Sequence, residues 1–327
     1  MDGFESAAPA GSIGASVVQA PRLTLVPEST QPNRPGEGAS SPHSPVAAHR
    51  AHRVGLVLQG GGSVAATQVG MLRAILEAGI RPDVVVGSSA GALNAVAFAS
   101  DPTLAGIDRL ERLWLSMRRR TVAPLSPRVV LAALRGRGSA MLPNGGLRSV
   151  LESADAAPTL QSTVLPVHVI ATDLGDGSTV VLSEGDTVTA LLASAAFPGL
   201  YPPVRVGDRY LIDGGVGADI PILQAEELGS TCSYVLPAAV SDQPETLPRG
   251  PLPLMFHAVS QLLDAAARRD LALTRGQVYQ LPAPLTRAGS PVDFRGTADL
   301  IQQGYQLATQ WLTAVVCPCC AQLAAAR

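Results

Sequence analysis

Lysine is missing altogether from the 327 residues, so all 24 basic side chains are arginine. No lysine Schiff base can form and no P-loop lysine can meet a nucleotide phosphate, which removes two large classes of chemistry. Charge of either sign is sparse: 15% of residues are charged, and 24 basic against 26 acidic groups leave a formal charge of −2. That balance offers no electrostatic footprint for nucleic acid. The four cysteines, Cys232, Cys317, Cys319 and Cys320, are too few and too clustered for a disulfide framework, so a reducing compartment is the expectation. No basic residue precedes Arg22, and the apolar stretch at residues 13–18 is short, so no secretory leader is expected. Nowhere does an apolar run approach the ~18 residues of a membrane-spanning helix. The expected location is cytoplasmic, with any membrane contact peripheral.

What is plentiful is apolar material: 46% of residues are hydrophobic, enough for a buried core. It is unevenly spread. Residues 1–52 are dominated by Ala, Pro, Ser and Gly without helical or strand periodicity and read as a disordered tail. From residue 53 the pattern changes. Val54-Gly55-Leu56-Val57-Leu58 is a buried-strand run, Gly60-Gly61-Gly62 a tight loop, and Val69, Leu72, Ile75 and Leu76 mark a helix from Ser63 that Gly79 closes. A second unit repeats the order: Val84-Val85-Val86, then Gly87-Ser88-Ser89-Ala90-Gly91, then a helix over residues 92–99. Helices are expected through much of residues 101–160, near 187–195, over 255–273 and over 297–316. Strands are expected at 167–172, 179–182, 210–212 and 233–236, with a proline-rich loop at 243–253. The domain is expected to span residues 53–316, leaving 317–327 as a C-terminal tail. Alternation of strand and helix places helices on both faces of a mainly parallel sheet.

A serine hydroxyl is a poor nucleophile until a base takes its proton and hydrogen-bond donors stabilise the oxyanion formed by its attack. Ser89 lies in Gly87-x-Ser89-x-Gly91 between a strand and a helix, where flanking glycines let a sharp turn expose the hydroxyl. The bland alternative is a small-residue turn. Gly60, Gly61 and Gly62 would present amides at a helix N-terminus and form the candidate oxyanion hole. Gly60, Gly62 and Ala65 also satisfy a dinucleotide fingerprint, but that reading needs an acidic residue near the end of the second strand, where this chain has Gly87-Ser88-Ser89. For the base, His43, His49 and His52 fall in the tail, His168 sits inside an apolar strand, and His257 lies on an apolar helical stretch. His257 would complete the order Ser89, Asp213, His257 of an α/β-hydrolase, the rival enzyme reading. Asp213, in Ile212-Asp213-Gly214-Gly215, is an acidic group at a strand end that can act without histidine, or else a simple Asp-Gly turn.

Taken together these blocks resemble the patatin-like phospholipase family: a glycine-rich loop at Gly60-Gly61-Gly62, a G-x-S-x-G serine at Ser89 supported by Gly87 and Gly91, and a D-G-G aspartate at Asp213 supported by Gly214 and Gly215. Ala171-Thr172-Asp173-Leu174, Ala193-Ser194-Ala195-Ala196-Phe197-Pro198, Tyr201-Pro202-Pro203-Val204 and residues 294–311 are similar to family landmarks. The resemblance implies a three-layer α/β/α patatin-like fold, a Ser89–Asp213 dyad, hydrolysis of acyl esters of lipids, and neither metal nor organic cofactor. Two departures stand out: Val64 and Ala65 replace the family's basic residue and glycine after the loop, and Asp219 stands where asparagine is common. A loop altered in this way leaves a third reading, a lipid-binding or regulatory homologue without turnover. Arg118, Arg119 and Arg120 could meet phosphate headgroups or form a solvated helix face. Cys317, Cys319 and Cys320, with Cys232 as the remaining thiol, make a poor metal site, and none is expected.

Overall fold

The computed structural model describes residues 52–124, 135, 140–241, 250–286 and 290–315. Of the expected N-terminal tail, 1–52, all but His52 lies outside the described residues, as does the expected C-terminal tail, 317–327, with Cys317, Cys319 and Cys320. Strand β1 (Val54–Leu58) runs into a 3-10 turn (Gly62–Ala66) and helix α1 (Thr67–Glu77); β2 (Val84–Ser88) runs into α2 (Ala90–Ser100) and then α3 (Leu104–Ser116). Short helices α4 (Arg119–Val122) and α5 (Gly145–Glu152) precede β3 (Val167–Asp173), β4 (Thr179–Leu182) and α6 (Thr187–Ser194). Next come β5 (Val204–Val206), β6 (Arg209–Asp213), α7 (Gly214–Ala218), α8 (Ile222–Glu227), β7 (Cys232–Leu236) and the two-residue β8 (Val240–Ser241). Helix α9 (Pro251–Leu273), β9 (Gln277–Gln280), β10 (Leu285–Thr286) and α10 (Thr297–Ala314) complete the order.

The central sheet has eight strands. Strands β3, β2, β1, β7 and β9 lie side by side in parallel, whereas β4 and β6 run antiparallel to β3. In β1, Leu56 and Leu58 join one apolar cluster and Val57 the other; in β2, Val85 faces the first and Val84 and Val86 the second. This alternation within unbroken apolar runs is what burial on both sheet faces requires. Helices α1, α2, α3 and α10 cover one face, and α7, α8 and α9 the other, giving three α/β/α layers.

Registers along β3 place the functional strand ends. Val169 and Ile170 pair with Gly87 and Ser88 of β2 while also pairing with β4; Ala171 and Thr172 pair with Asp213 and Ile212 of β6 while also pairing with β4. A strand has two edges, so β2 and β6 share the same edge of β3, one after the other. They meet there by their C-terminal ends.

Two local expectations change. The proline-rich stretch expected as a loop to residue 253 is helical from Pro251, because proline at the first helical positions sacrifices no intrahelical donor. The edge strands β5 and β9 carry no strand signal: β5 is three residues long, and β9 reads Gln-Val-Tyr-Gln with exposed ends.

Helix α10 lies directly on α1. A Cβ at Gly70 would overlap the Ile301 carbonyl and the Tyr305 nitrogen, and one at Gly304 would overlap Thr67. Because backbone rather than flexible side chain opposes the added atoms, Gly70→Val is expected to cost about 3 kcal/mol, the upper end for overpacking. A thermal melt should show Tm lower by roughly 6–12 °C.

Candidate active site

Ser89 caps α2 with φ 51° and ψ −124°, a left-handed conformation for a residue that carries a Cβ. Such strain costs on the order of 1–3 kcal/mol and persists only where its surroundings impose it. Here the surroundings are close-packed backbone. A Cβ at Gly87 would stand 2.6 Å from the Gly91 carbonyl oxygen, and one at Gly91 would overlap the Gln59 carbonyl. The Ser89 amide donates to Ser194 Oγ at 2.9 Å, and Ser194 Oγ donates onward to the Ile170 carbonyl. Ser194 therefore ties the turn to β3 from the end of α6.

Ser89 Oγ donates to Asp213 Oδ2 at 2.7 Å. Asp213 is 3% exposed, and its Oδ1 accepts the Gly215 amide at 2.8 Å. The Asp213 amide donates to the Ala196 carbonyl at 3.0 Å, and the Asp213 carbonyl accepts from Thr172 Oγ1 at 2.8 Å. Its backbone is thus held from both sides. Burial pushes the Asp213 carboxyl up to about 7, against the opposing bonds from Ser89 and Gly215, and the nearby Asp219 charge pushes in the same direction as burial.

The glycine loop passes beside this pair: a Cβ at Gly60 would stand 3.4 Å from Ser89 Cβ. Gly61 and Gly62 adopt φ of 153° and 58°, and side chains there would run into Ala238 and Pro291 at 2.5 Å. The amides in this loop are divided between two uses. Gly60 donates to the Asp219 carbonyl at 3.1 Å and Ser63 to the Pro291 carbonyl at 2.7 Å, while Gly61 and Gly62 donate to no partner among the described residues. Those two amides open the 3-10 turn that continues into α1, where the helix dipole favours negative charge. Val64 and Ala65 do not unravel the turn. Val64 packs on the core, Ala65 is fully buried, and the Ala65 carbonyl accepts from Asn94 Nδ2 at 3.0 Å.

Behind the loop runs a buried polar chain that the sequence analysis did not single out. Trp114 Nε1 donates to Asn94 Oδ1 at 2.7 Å, and Asn94 Nδ2 donates to Gln68 Oε1 at 2.9 Å. Gln68 Nε2 then donates to the carbonyls of Gln59 at 2.8 Å and Leu236 at 3.0 Å. The available signal was a polar residue on an otherwise apolar helix face, Gln68 beside Val69 and Asn94 within residues 92–99.

Among the described residues no histidine hydrogen-bonds to Ser89 or Asp213. His168 Nδ1 lies 2.7 Å from Ser183 Oγ between β3 and β4, and burial lowers its pKa. His257 lies on α9. Arg118 turns its guanidinium back onto the Leu115 and Met117 carbonyls at 2.6 and 2.8 Å, closing α3, and with Arg119 and Arg120 it lines an open cleft. The described residues contain no cluster of three metal-ligating side chains and no helix long and apolar enough to cross a membrane.

A family model described as patatin-like phospholipase matches residues 56–226. The patatin-like phospholipase domain-containing protein 7 of Rattus norvegicus is 26% identical over 195 residues, covering 58% of this chain and 14% of that protein. An uncharacterized NTE family protein of Mycobacterium tuberculosis is 26% identical over 225 residues, covering 67% of this chain and 60% of its own. The chain thus spans less than two thirds of the length of these relatives. Among solved structures, VipD from Legionella pneumophila superimposes with a TM-score of 0.46 at 14% identity, covering 80% of this chain and 67% of that one. With more than half of its length matched by the family model, and with the glycine loop, the serine turn and the aspartate assembled around one edge of β3, the chain belongs to the patatin-like phospholipase family.

Proposed function

We propose that the protein is a serine acyl hydrolase that cleaves acyl esters of lipids with Ser89 as nucleophile and Asp213 as its base. The observation that carries this reading is the 2.7 Å hydrogen bond from Ser89 Oγ to a buried carboxylate oxygen of Asp213. A base works best when its pKa lies near the operating pH, and a carboxyl raised to about 7 meets that condition without histidine.

In the first step Asp213 Oδ2 takes the Ser89 proton as Oγ attacks the ester carbonyl carbon, and the carbonyl π electrons move to oxygen. The amides of Gly61 and Gly62 donate to that oxyanion. As the carbonyl re-forms, the C–O bond to the alcohol breaks and Asp213 returns its proton to the departing oxygen, leaving an acyl-Ser89 ester. Water attacks this ester with Asp213 again as base; the carboxylic acid leaves and the proton returns to Ser89 Oγ. The cycle closes with no metal or organic cofactor, and a lipid substrate would reach the site by peripheral contact with a membrane surface.

Ser89→Ala and Asp213→Asn are each expected to lower hydrolysis of p-nitrophenyl butyrate by about 10³-fold or more, because members of a catalytic unit fail together. A fluorophosphonate probe should label the wild type and not Ser89→Ala. His257→Ala is expected to stay within about twofold of wild type, and a loss comparable to that of Ser89→Ala at unchanged Tm would favour the α/β-hydrolase reading.

The pH profile follows from the sign of the shift. Protonated Asp213 cannot accept the serine proton, so kcat/KM should fall about tenfold per unit on the acid side, with a midpoint near the value of about 7 rather than the ~3.9 of a free aspartate.

Ser194→Ala removes the acceptor for the Ser89 amide and should lower both kcat, by about tenfold, and stability, by about 1–3 kcal/mol, with KM little changed. Steady-state kinetics paired with a thermal melt measure both.

A further inference from the structure

Six residues beyond Asp213, at the end of α7, a second carboxylate enters the site. The Asp219 backbone carbonyl accepts the Gly60 amide at 3.1 Å, and its Oδ2 accepts Gln59 Nε2 at 2.7 Å. Gln59 Oε1 in turn accepts the Ala238 amide at 3.0 Å, and the Gln59 amide donates to Leu236. One aspartate thus holds the first glycine of the loop by its main chain and the preceding residue by its side chain.

The remaining oxygen, Oδ1, points at the dyad. A Cβ built on Gly60 would stand 2.5 Å from it and one on Gly215 3.1 Å, and the same Gly215 Cβ would stand 3.0 Å from Asp213 Oδ1. Two carboxylate oxygens therefore flank a single glycine that puts no side chain between them. No ion pair reaches either carboxylate among the described residues.

We propose that Asp219 is a positioning residue of this site: it anchors the glycine loop through Gly60 and Gln59, and its negative charge keeps Asp213 a stronger base than burial alone would make it. The proposal rests on the dyad reading for its catalytic meaning, but its physical content is a coupling between two carboxyls that exists whether or not turnover occurs.

Among the described residues, two other carboxyls bear on Asp219. Asp213 faces it from the end of β6. From α9, Asp264 adds a second like charge, itself offset by Arg268. Gln59, from the end of β1, is neutral and donates. Burial, reinforced by Asp264 and opposed by Gln59, pushes Asp219 up to about 6, so both carboxyls titrate in the same range near neutral pH. The two carboxyls accordingly release protons as a coupled pair.

The test is a pH titration of the full chain labelled with [13Cγ]aspartate, followed by NMR, with Asp213 and Asp219 assigned by the signals lost in Asp213→Asn and Asp219→Asn. Asparagine keeps an acceptor for Gln59 and removes only the charge. In Asp219→Asn the Asp213 midpoint should fall by about 0.5–2 units, a range set by effective dielectrics between bulk water and protein interior. Coupling is reciprocal, so Asp213→Asn should lower the Asp219 midpoint by a like amount, which keeps the test alive should one variant fail to fold. Unmoved midpoints overturn the proposal. The anchoring half is read from fluorophosphonate labelling at pH 8: Asp219→Ala should label Ser89 about tenfold more slowly than wild type, with Asp219→Asn recovering most of that rate. Equal labelling by Asp219→Ala and wild type overturns it. A wild type that does not label at all would sink the dyad reading, while the titration still decides the coupling.

Discussion

Two strands that end against each other on one edge of β3 set the site. β2 arrives parallel and stops at Ser88 opposite Ile170; β6 arrives from the other direction and stops at Asp213 opposite Ala171. Adjacent positions on β3 therefore fix the ends of both strands, and the residues there cannot separate without breaking ladder hydrogen bonds. The 2.7 Å bond between Ser89 and Asp213 follows from that placement. Ser194, bonded to both the Ser89 amide and the Ile170 carbonyl, locks the arrangement at the same point of β3.

The glycine loop is held by a different means. It leaves β1 and has no strand partner along Gly60 to Gly62; Gly60 and Ser63 donate to the main-chain carbonyls of Asp219 and Pro291, and polar side chains hold the backbone on either side. Gln68 grips the Gln59 and Leu236 carbonyls, Asn94 grips Ala65, and Trp114 completes the chain. Buried amide side chains are costly unless their bonds are made, and here they are made to the backbone carbonyls of Gln59, Leu236 and Ala65. The loop keeps its shape without a basic residue at position 64, since these bonds act on backbone rather than on the side chains of Val64 and Ala65.

In the proposed dyad the base is a carboxylate alone, and it needs an environment that raises its proton affinity. Asp213 obtains this from burial at the end of β6, with Gly215 putting no side chain between it and Asp219. Histidine would supply a neutral-range pKa by itself; aspartate acquires one only through its surroundings. The same surroundings determine which loop amides stay without a partner among the described residues, because Asp219 takes Gly60 while Pro291 takes Ser63.

Local chemistry in the chain was enough to specify the parts. Short, mainly apolar β-favouring runs marked β1, β2, β3 and β7, glycines marked the loop and the serine turn, and Asp213-Gly214-Gly215 marked the third block, because each depends on backbone freedom or on burial visible over a few residues. Strands β5 and β9 were not legible, being too short or too polar at their ends to show a period. Nor were the roles of Gln59, Gln68, Asn94, Ser194 and Asp219. A polar residue in an apolar segment has no meaning until its partner is known, and these partners lie between 9 and 179 residues away along the chain. Sequence determined which groups could react; the pairing of β2 and β6 on one edge of β3 decided which of them meet, since that contact arises only when the sheet is assembled.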